Sequence, residues 1–163
     1  MKTKTAGLIV ALCFFAAAAV SFADEPQIGT WKLNEAKSKL APGTTKNYTV
    51  VYETAGDNVK ITVDGTDKDG KSTHNVWIGK FDGKDYPVTG DPASDTRSYY
   101  KVVDPRSGAS RGRVLRMWIK KDGKITVTGQ IVFSADGKMR YVTTSEVGVK
   151  SKGTRSTALY DKQ

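Results

Sequence analysis

The chain is poor in the side chains that carry most protein chemistry, with one cysteine and one histidine in 163 residues. Cys13 sits inside an apolar leader, so the chain beyond it has neither disulfide nor thiol chemistry. A zinc site needs three or four His, Cys or carboxylate ligands, and His74 alone does not supply the usual donors. Ser-His-Asp or Cys-His catalysis would also have to use His74, which no nucleophile motif accompanies. His74 instead alternates with Val76 and Ile78 in "STHNVWIGKF", the pattern of an ordinary strand residue. The acids cluster in turns, at Asp69, Asp82, Asp122 and Asp136, and not as the flanking carboxylate pair of a glycosidase. No catalytic residue, metal site or cofactor is expected, and the chain does not read as an enzyme.

Long hydrophobic runs are scarce too. Only "LIVALCFFAAAAV" (8–20) qualifies, after Lys2 and Lys4 and before the small residues Ser21 and Ala23. That is the layout of a secretory signal peptide, and the run is shorter than the roughly 20 apolar residues of a bilayer span. Cleavage after Ala23 is expected, with 1–23 as signal peptide and 24–163 as one domain. The destination is then periplasmic or extracellular; an uncleaved N-terminal anchor is the alternative. No second span follows, so the processed chain is not expected to be an integral membrane protein. Its 140 residues suit one domain with an ordinary core. Without Lys2 and Lys4, 24 basic residues face 17 acids, about +7, which favours anionic partners but does not dictate a fold.

Helix signals are equally few: only "LNEAKSKL" (33–40) could hold a helical turn or two before Pro42-Gly43. Turn signals are abundant. They fall at "AGDN" (55–58), "KDGK" (68–71), "FDGK" (81–84), "GDPASD" (90–95), "DPRSG" (104–108), "KDGK" (121–124) and "ADGK" (135–138). An interval of about thirteen residues fits one strand and one tight turn, so successive strands should be antiparallel neighbours. Asp-Gly suits a two-residue hairpin loop, which needs positive φ at both central positions. "DKDG" (67–70) echoes an EF-hand start, but Gly65 and Val76 would occupy positions that require carboxylates, so it reads as a turn.

The segments between turns alternate as strands do. "VKITVDG" sets Val59, Ile61 and Val63 against Lys60, Thr62 and Asp64; "RVLRMWI" groups Leu115, Met117 and Ile119. The predicted fold class is all-β, an up-and-down antiparallel meander of about 8–10 strands. Closing into a barrel removes its edges, and two packed sheets are the alternative. Consecutive turns of a meander alternate between ends, so Asp69 and Asp122 should share one end, Asp82 and Asp136 the other.

The strongest charge feature is "RSGASRGRVLRMWIKK" (106–121), six basic residues around Trp118 with no acid. Its plain reading is a strand whose charges face water; its functional reading is contact with an anionic polymer or lipid headgroups. No RNA-binding signature is present and export makes nucleic acid a poor target, so none is expected. In a barrel, alternate residues face opposite sides. Arg97 then shares a side with Tyr99, Arg113 with Leu115 and Met117, and Tyr141 with Met139 and Thr143. With the apolar side inward, Arg113 would place a cation near a barrel mouth, where it must be paired, solvated or liganded.

Several motifs carry a resemblance. "GTWKL" (29–33) resembles the opening Gly-x-Trp strand of lipocalins and fatty-acid-binding proteins, together the calycins, where the Trp plugs the closed end. "KDGKITVTGQIVFSADGKMRYVTT" and "TRSTALYDKQ" are similar in rhythm to the last strands of fatty-acid-binding proteins. "GTWKLNEAKSKLAPG", "ITVDGTDKDGK", "GKFDGKDYPVTGDPASDTRSYY" and "YDKQ" also resemble a group of small secreted, lipocalin-like bacterial proteins, which implies a barrel and no particular activity. The Arg-x-Tyr clamp of fatty-acid-binding proteins is missing, since Ala158 stands two before Tyr160 and Arg155 belongs to the opposite side. Twelve residues between Asn34 and Asn47 are too few for their helical lid, and the lipocalin Thr-Asp-Tyr signature has no match.

The expectation from residues and resemblance together is an exported, non-catalytic barrel binding a small apolar or amphipathic ligand. Trp31 would anchor the closed end, and the candidate contacts are Trp77, Arg97, Tyr99, Arg113, Met117, Phe133 and Tyr141. The alternative is an envelope or extracellular interaction protein, its barrel filled by its own side chains, using 106–121 on anionic polymers or headgroups.

Overall fold

The structure, a computed structural model, describes residues 25–102, 113–148 and 155–163. Ten strands follow in order: β1 (Gly29–Leu33), β2 (Lys46–Ala55), β3 (Asn58–Thr66), β4 (Ser72–Gly79), β5 (Tyr86–Thr89), β6 (Thr96–Lys101), β7 (Val114–Lys121), β8 (Lys124–Phe133), β9 (Met139–Glu146) and β10 (Arg155–Lys162). Each pairs antiparallel with its sequence neighbour, and β1 also pairs with β10, so the meander closes into a barrel. The seam sets Trp31, Lys32 and Leu33 opposite Lys162, Asp161 and Tyr160. First and last strands thereby satisfy each other's backbone groups, which two open sheets would leave exposed at their edges.

With β1 running upwards, the β2–β3, β4–β5, β6–β7 and β8–β9 connections lie at the lower end and the others at the upper end. The Asp69 and Asp122 turns are therefore upper, the Asp82 and Asp136 turns lower, as the alternation requires. Their geometry departs from the two-residue expectation in three of the four. Only the β7–β8 turn has both central residues left-handed, Asp122 at φ 50° and Gly123 at 71°. The β3–β4 turn is a three-residue loop: Asp67 N–H donates to Lys71 O at 2.9 Å and Gly70 N–H to Asp67 O at 3.1 Å, with only Gly70 left-handed.

The reason is that aspartate caps backbone as well as tolerating positive φ. Asp82 and Asp136 carboxylates accept the N–H groups of Lys84 and Lys138 at 3.0 and 3.1 Å. Asp67 accepts from Asp69 and Lys71, both at 2.9 Å, so the "DKDG" carboxylate closes a turn. "LNEAKSKL" yields less helix than it could hold: one 3-10 turn, Glu35–Lys37, capped by the Asn34 side chain. It lies outside β10, and the Ser38 hydroxyl accepts the Leu159 N–H at 2.9 Å.

Candidate functional site

Inward-facing residues differ sharply between the two halves of the barrel. The lower half is aromatic and packed upon itself. Trp31 meets Phe133 with ring centroids 5.4 Å apart, and Phe133 meets Tyr52 edge-on at 6.3 Å. A second group holds Trp77 against Tyr99 at 4.8 Å, Tyr86 at 5.7 Å and Phe81 at 6.0 Å. Gly79 makes room for it, because a Cβ there would lie 2.5 Å from the Tyr86 ring. Residues 25–28 cross beneath the barrel, where the Trp31 indole N–H donates to Gln27 O at 2.9 Å and Lys101 pairs with Glu25 at 2.6 Å.

Arg140 is the one guanidinium within this aromatic floor, with only 3% of its surface exposed. Its Nη1 donates to Tyr52 Oη at 3.1 Å, and its plane lies 4.1 Å over the Tyr160 ring and 5.9 Å from Trp31. Among the described residues no carboxylate is within ion-pair distance, so the charge rests on ring faces, which attract a desolvated cation by about 2 kcal/mol or more. Burial pushes the Tyr52 hydroxyl up to about 12 and raises that of Tyr160, so both rings stay neutral beside Arg140 at ordinary pH.

The upper half is lined by smaller and more polar groups. Thr73 and Asn75 on β4, Val88 on β5, Arg97 on β6, Ile119 on β7, and Thr144 and Ser156 on β9 and β10 face inward by register. Arg97 Nη2 donates to Asp91 Oδ2 at 2.5 Å, an ion pair shielded from water on both sides. Asp91 follows Gly90, whose backbone packs on His74 and Asn75, so the pair is carried to the Asn75 side of the barrel. Five buried side-chain atoms among the described residues have no hydrogen-bond partner: Gln27 Oε1 and Arg140 Nε at the floor, and Thr73 Oγ1, Asn75 Oδ1 and Arg97 Nε clustered here. Native interiors leave few such groups unexplained.

Trp31, Trp77, Tyr99, Met117 and Phe133 all face inward and are buried. The structure assembles the four aromatics as packed floor in two groups, Trp31 against Phe133 and Trp77 against Tyr99. Arg97 also faces inward, but in the upper half and paired. Arg113 is half-buried at the lower end just before β7, where its carbonyl accepts the Phe133 N–H at 2.8 Å. Tyr141 is a correction: it lies on the outer face, 36% exposed, and Arg140 takes the inward place. The β8–β9 loop decides this. Ser134 N–H closes on Met139 O, which sets Phe133 opposite Arg140, and opposed residues share a face. Tyr160 also lies opposite Arg140. An arginine–tyrosine contact is thus built across strands where the Arg-x-Tyr spacing along β10 is absent.

Residues 106–112 of the basic stretch lie outside the described residues. In the remainder, Lys120 and Lys121 are paired with Asp85 and Asp95 at 2.6 and 2.7 Å, which lowers the carboxyl pKa of both acids through those hydrogen bonds. Arg116 and Trp118 face outward on β7, and β10 brings Arg155 to the same wall. His74 is also on the outer face, with Nδ1 2.6 Å from Asp64 across the strand. No known protein family matches the chain, and no curated protein is similar to it.

Proposed function

We propose that the protein is an exported, non-catalytic binding barrel that holds a small amphipathic molecule in the upper half of its interior. The observation that carries this reading is the clustering in the upper half of three of the five buried, unpartnered side-chain atoms among the described residues, Thr73 Oγ1, Asn75 Oδ1 and Arg97 Nε. Together they offer a fixed donor, a fixed acceptor and a hydroxyl that can be either. Barrel width is compatible with it: about eight strands make an interior that side chains just fill or that holds one small ligand. Here ten strands close, with Thr73, Asn75, Val88, Thr144 and Ser156 lining the upper half. Val88 and Ile119, which pack on the upper side of the core, would supply apolar contact for the rest of the molecule.

The charge balance defines the polar end. Asp91 already neutralises Arg97, so a neutral hydroxyl or amide head suits the site better than a second carboxylate. Native mass spectrometry of protein isolated from its own cells tests the reading, followed by extraction and titration with a monoacylglycerol. One retained or restored equivalent is expected, lost in Thr73→Val/Asn75→Leu without loss of melting temperature. Protein that carries nothing and takes up no monoacylglycerol refutes it.

A further inference from the structure

Two of the three tryptophans use their indole N–H within the fold, Trp31 on Gln27 O and Trp77 on Arg97 O at 3.0 Å. Trp118 has no acceptor among the described residues. It sits half-buried on the outer wall, beside a depression of about 390 Å³ over β7 to β10. Two rows of outward side chains form that depression. Trp118, Thr128, Ser145 and Arg155 are in register across four strands, and Arg116, Gln130 and Thr143 form the row below. A barrel wall is convex, so a hollow needs short side chains between tall ones. Thr128, Thr143 and Ser145 are the short ones; Trp118 and the two arginines are the tall.

The charge of this hollow is unbalanced. Arg116 and Arg155 line it, no carboxylate does, and neither arginine forms an ion pair among the described residues. The neighbouring Lys120 and Lys121 are held by Asp85 and Asp95. Free positive charge on this wall is therefore concentrated where the unused indole donor and the hydroxyls are.

We propose that this groove is a binding site for an acidic oligosaccharide. The indole face stacks on the C–H face of a sugar ring while its N–H meets a ring hydroxyl. The Gln130 amide and the hydroxyls of Thr128, Thr143 and Ser145 exchange hydrogen bonds with further hydroxyls. Each guanidinium takes a carboxylate or sulfate through two parallel N–H bonds. Strand spacing puts the two arginine backbones on the order of 15 Å apart, so a ligand engaging both spans more than one sugar. A lipid surface fits poorly: it is flat where the site is recessed, and the polar lining offers its chains no anchor. The site is separate from the barrel interior and stands or falls independently of it.

Titration calorimetry of the whole protein with tri-galacturonate, maltotriose and phosphatidylglycerol vesicles tests the proposal. Tri-galacturonate should bind, more weakly as salt is raised. Arg116→Gln and Arg155→Gln should each weaken it about tenfold, the effect of losing one charged hydrogen-bonded contact, and Trp118→Ala about as much through the lost stacking face and neutral N–H bond. Arg155→Lys, which keeps the charge but not the fork, should fall between wild type and Arg155→Gln. These outward substitutions should leave the melting temperature unchanged, which separates lost binding from lost folding. The proposal is overturned if tri-galacturonate does not bind, if maltotriose binds equally well, if only vesicles bind, or if Arg116→Gln/Arg155→Gln binds as wild type does.

Discussion

The lower and upper halves of the barrel interior are made by the same ten strands yet solve opposite problems. Below, Trp31, Tyr52, Trp77, Tyr99, Phe133 and Tyr160 bury one another, and even the cation among them, Arg140, is stacked on rings. Above, side chains are shorter and the charge of Arg97 is answered by Asp91. Unpartnered buried atoms occur at both ends, Gln27 Oε1 and Arg140 Nε below and Thr73 Oγ1, Asn75 Oδ1 and Arg97 Nε above. The large rings of the described residues that face inward, Trp31, Tyr52, Trp77, Tyr99, Phe133 and Tyr160, lie at the lower end. Concentrating the large rings at one end packs the lower half and leaves shorter, more polar side chains at the other. The contrast teaches that aromatic and polar residues are separated along the strands, although both face inward.

The largest effect is expected at the floor. Trp31→Ala removes a fully buried ring and its bond to Gln27, and should cost about 3–5 kcal/mol in urea denaturation. A loss under about 1 kcal/mol would mean that the lower half is not the main core. Asp91→Asn probes the upper half by leaving Arg97 without its counter-charge. A fully buried pair would lose roughly 3–5 kcal/mol, but the Asp91 side chain is 20% exposed, so about 1–3 kcal/mol is expected. A variant as stable as wild type would show that Arg97 reaches water.

The smallest effect is a dependence on pH. Burial raises the Tyr52 hydroxyl from 10 to about 12, so the folded state holds that proton more tightly than the unfolded chain does. Its contribution is complete below pH 10 and is lost as pH climbs through about 12. Denaturation midpoints should therefore fall across that alkaline window, and Tyr52→Phe should flatten the fall, leaving the part due to Tyr160. An unchanged slope in Tyr52→Phe would exclude the floor tyrosine as its source.

Much of the fold was legible because its signals are local. Turn residues at intervals of about thirteen announce antiparallel neighbours, and alternation along "RVLRMWI" correctly turned Leu115 and Met117 inward. Alternation failed on β9, where tyrosine is the more apolar choice over arginine. There the loop length, not the hydrophobicity of the strand, set the register and sent Arg140 inside. The outer groove was only half visible: Arg116 and Trp118 stood out in a basic run, whereas Arg155 is some forty residues away in the chain.

By itself the sequence determined the strand and turn alternation, the two ends to which the Asp-Gly turns divide, and the inward side of most strands. These depend on neighbours a few residues apart, through backbone sterics and the two-residue period of a strand. Only the tertiary structure decided which inward residues form floor and which form lining, that Arg140 meets Tyr160, and that Arg155 joins Trp118. Those outcomes depend on register summed around a closed ring. A shift of one residue at any hairpin reverses every side chain beyond it, so they are settled only when β1 meets β10.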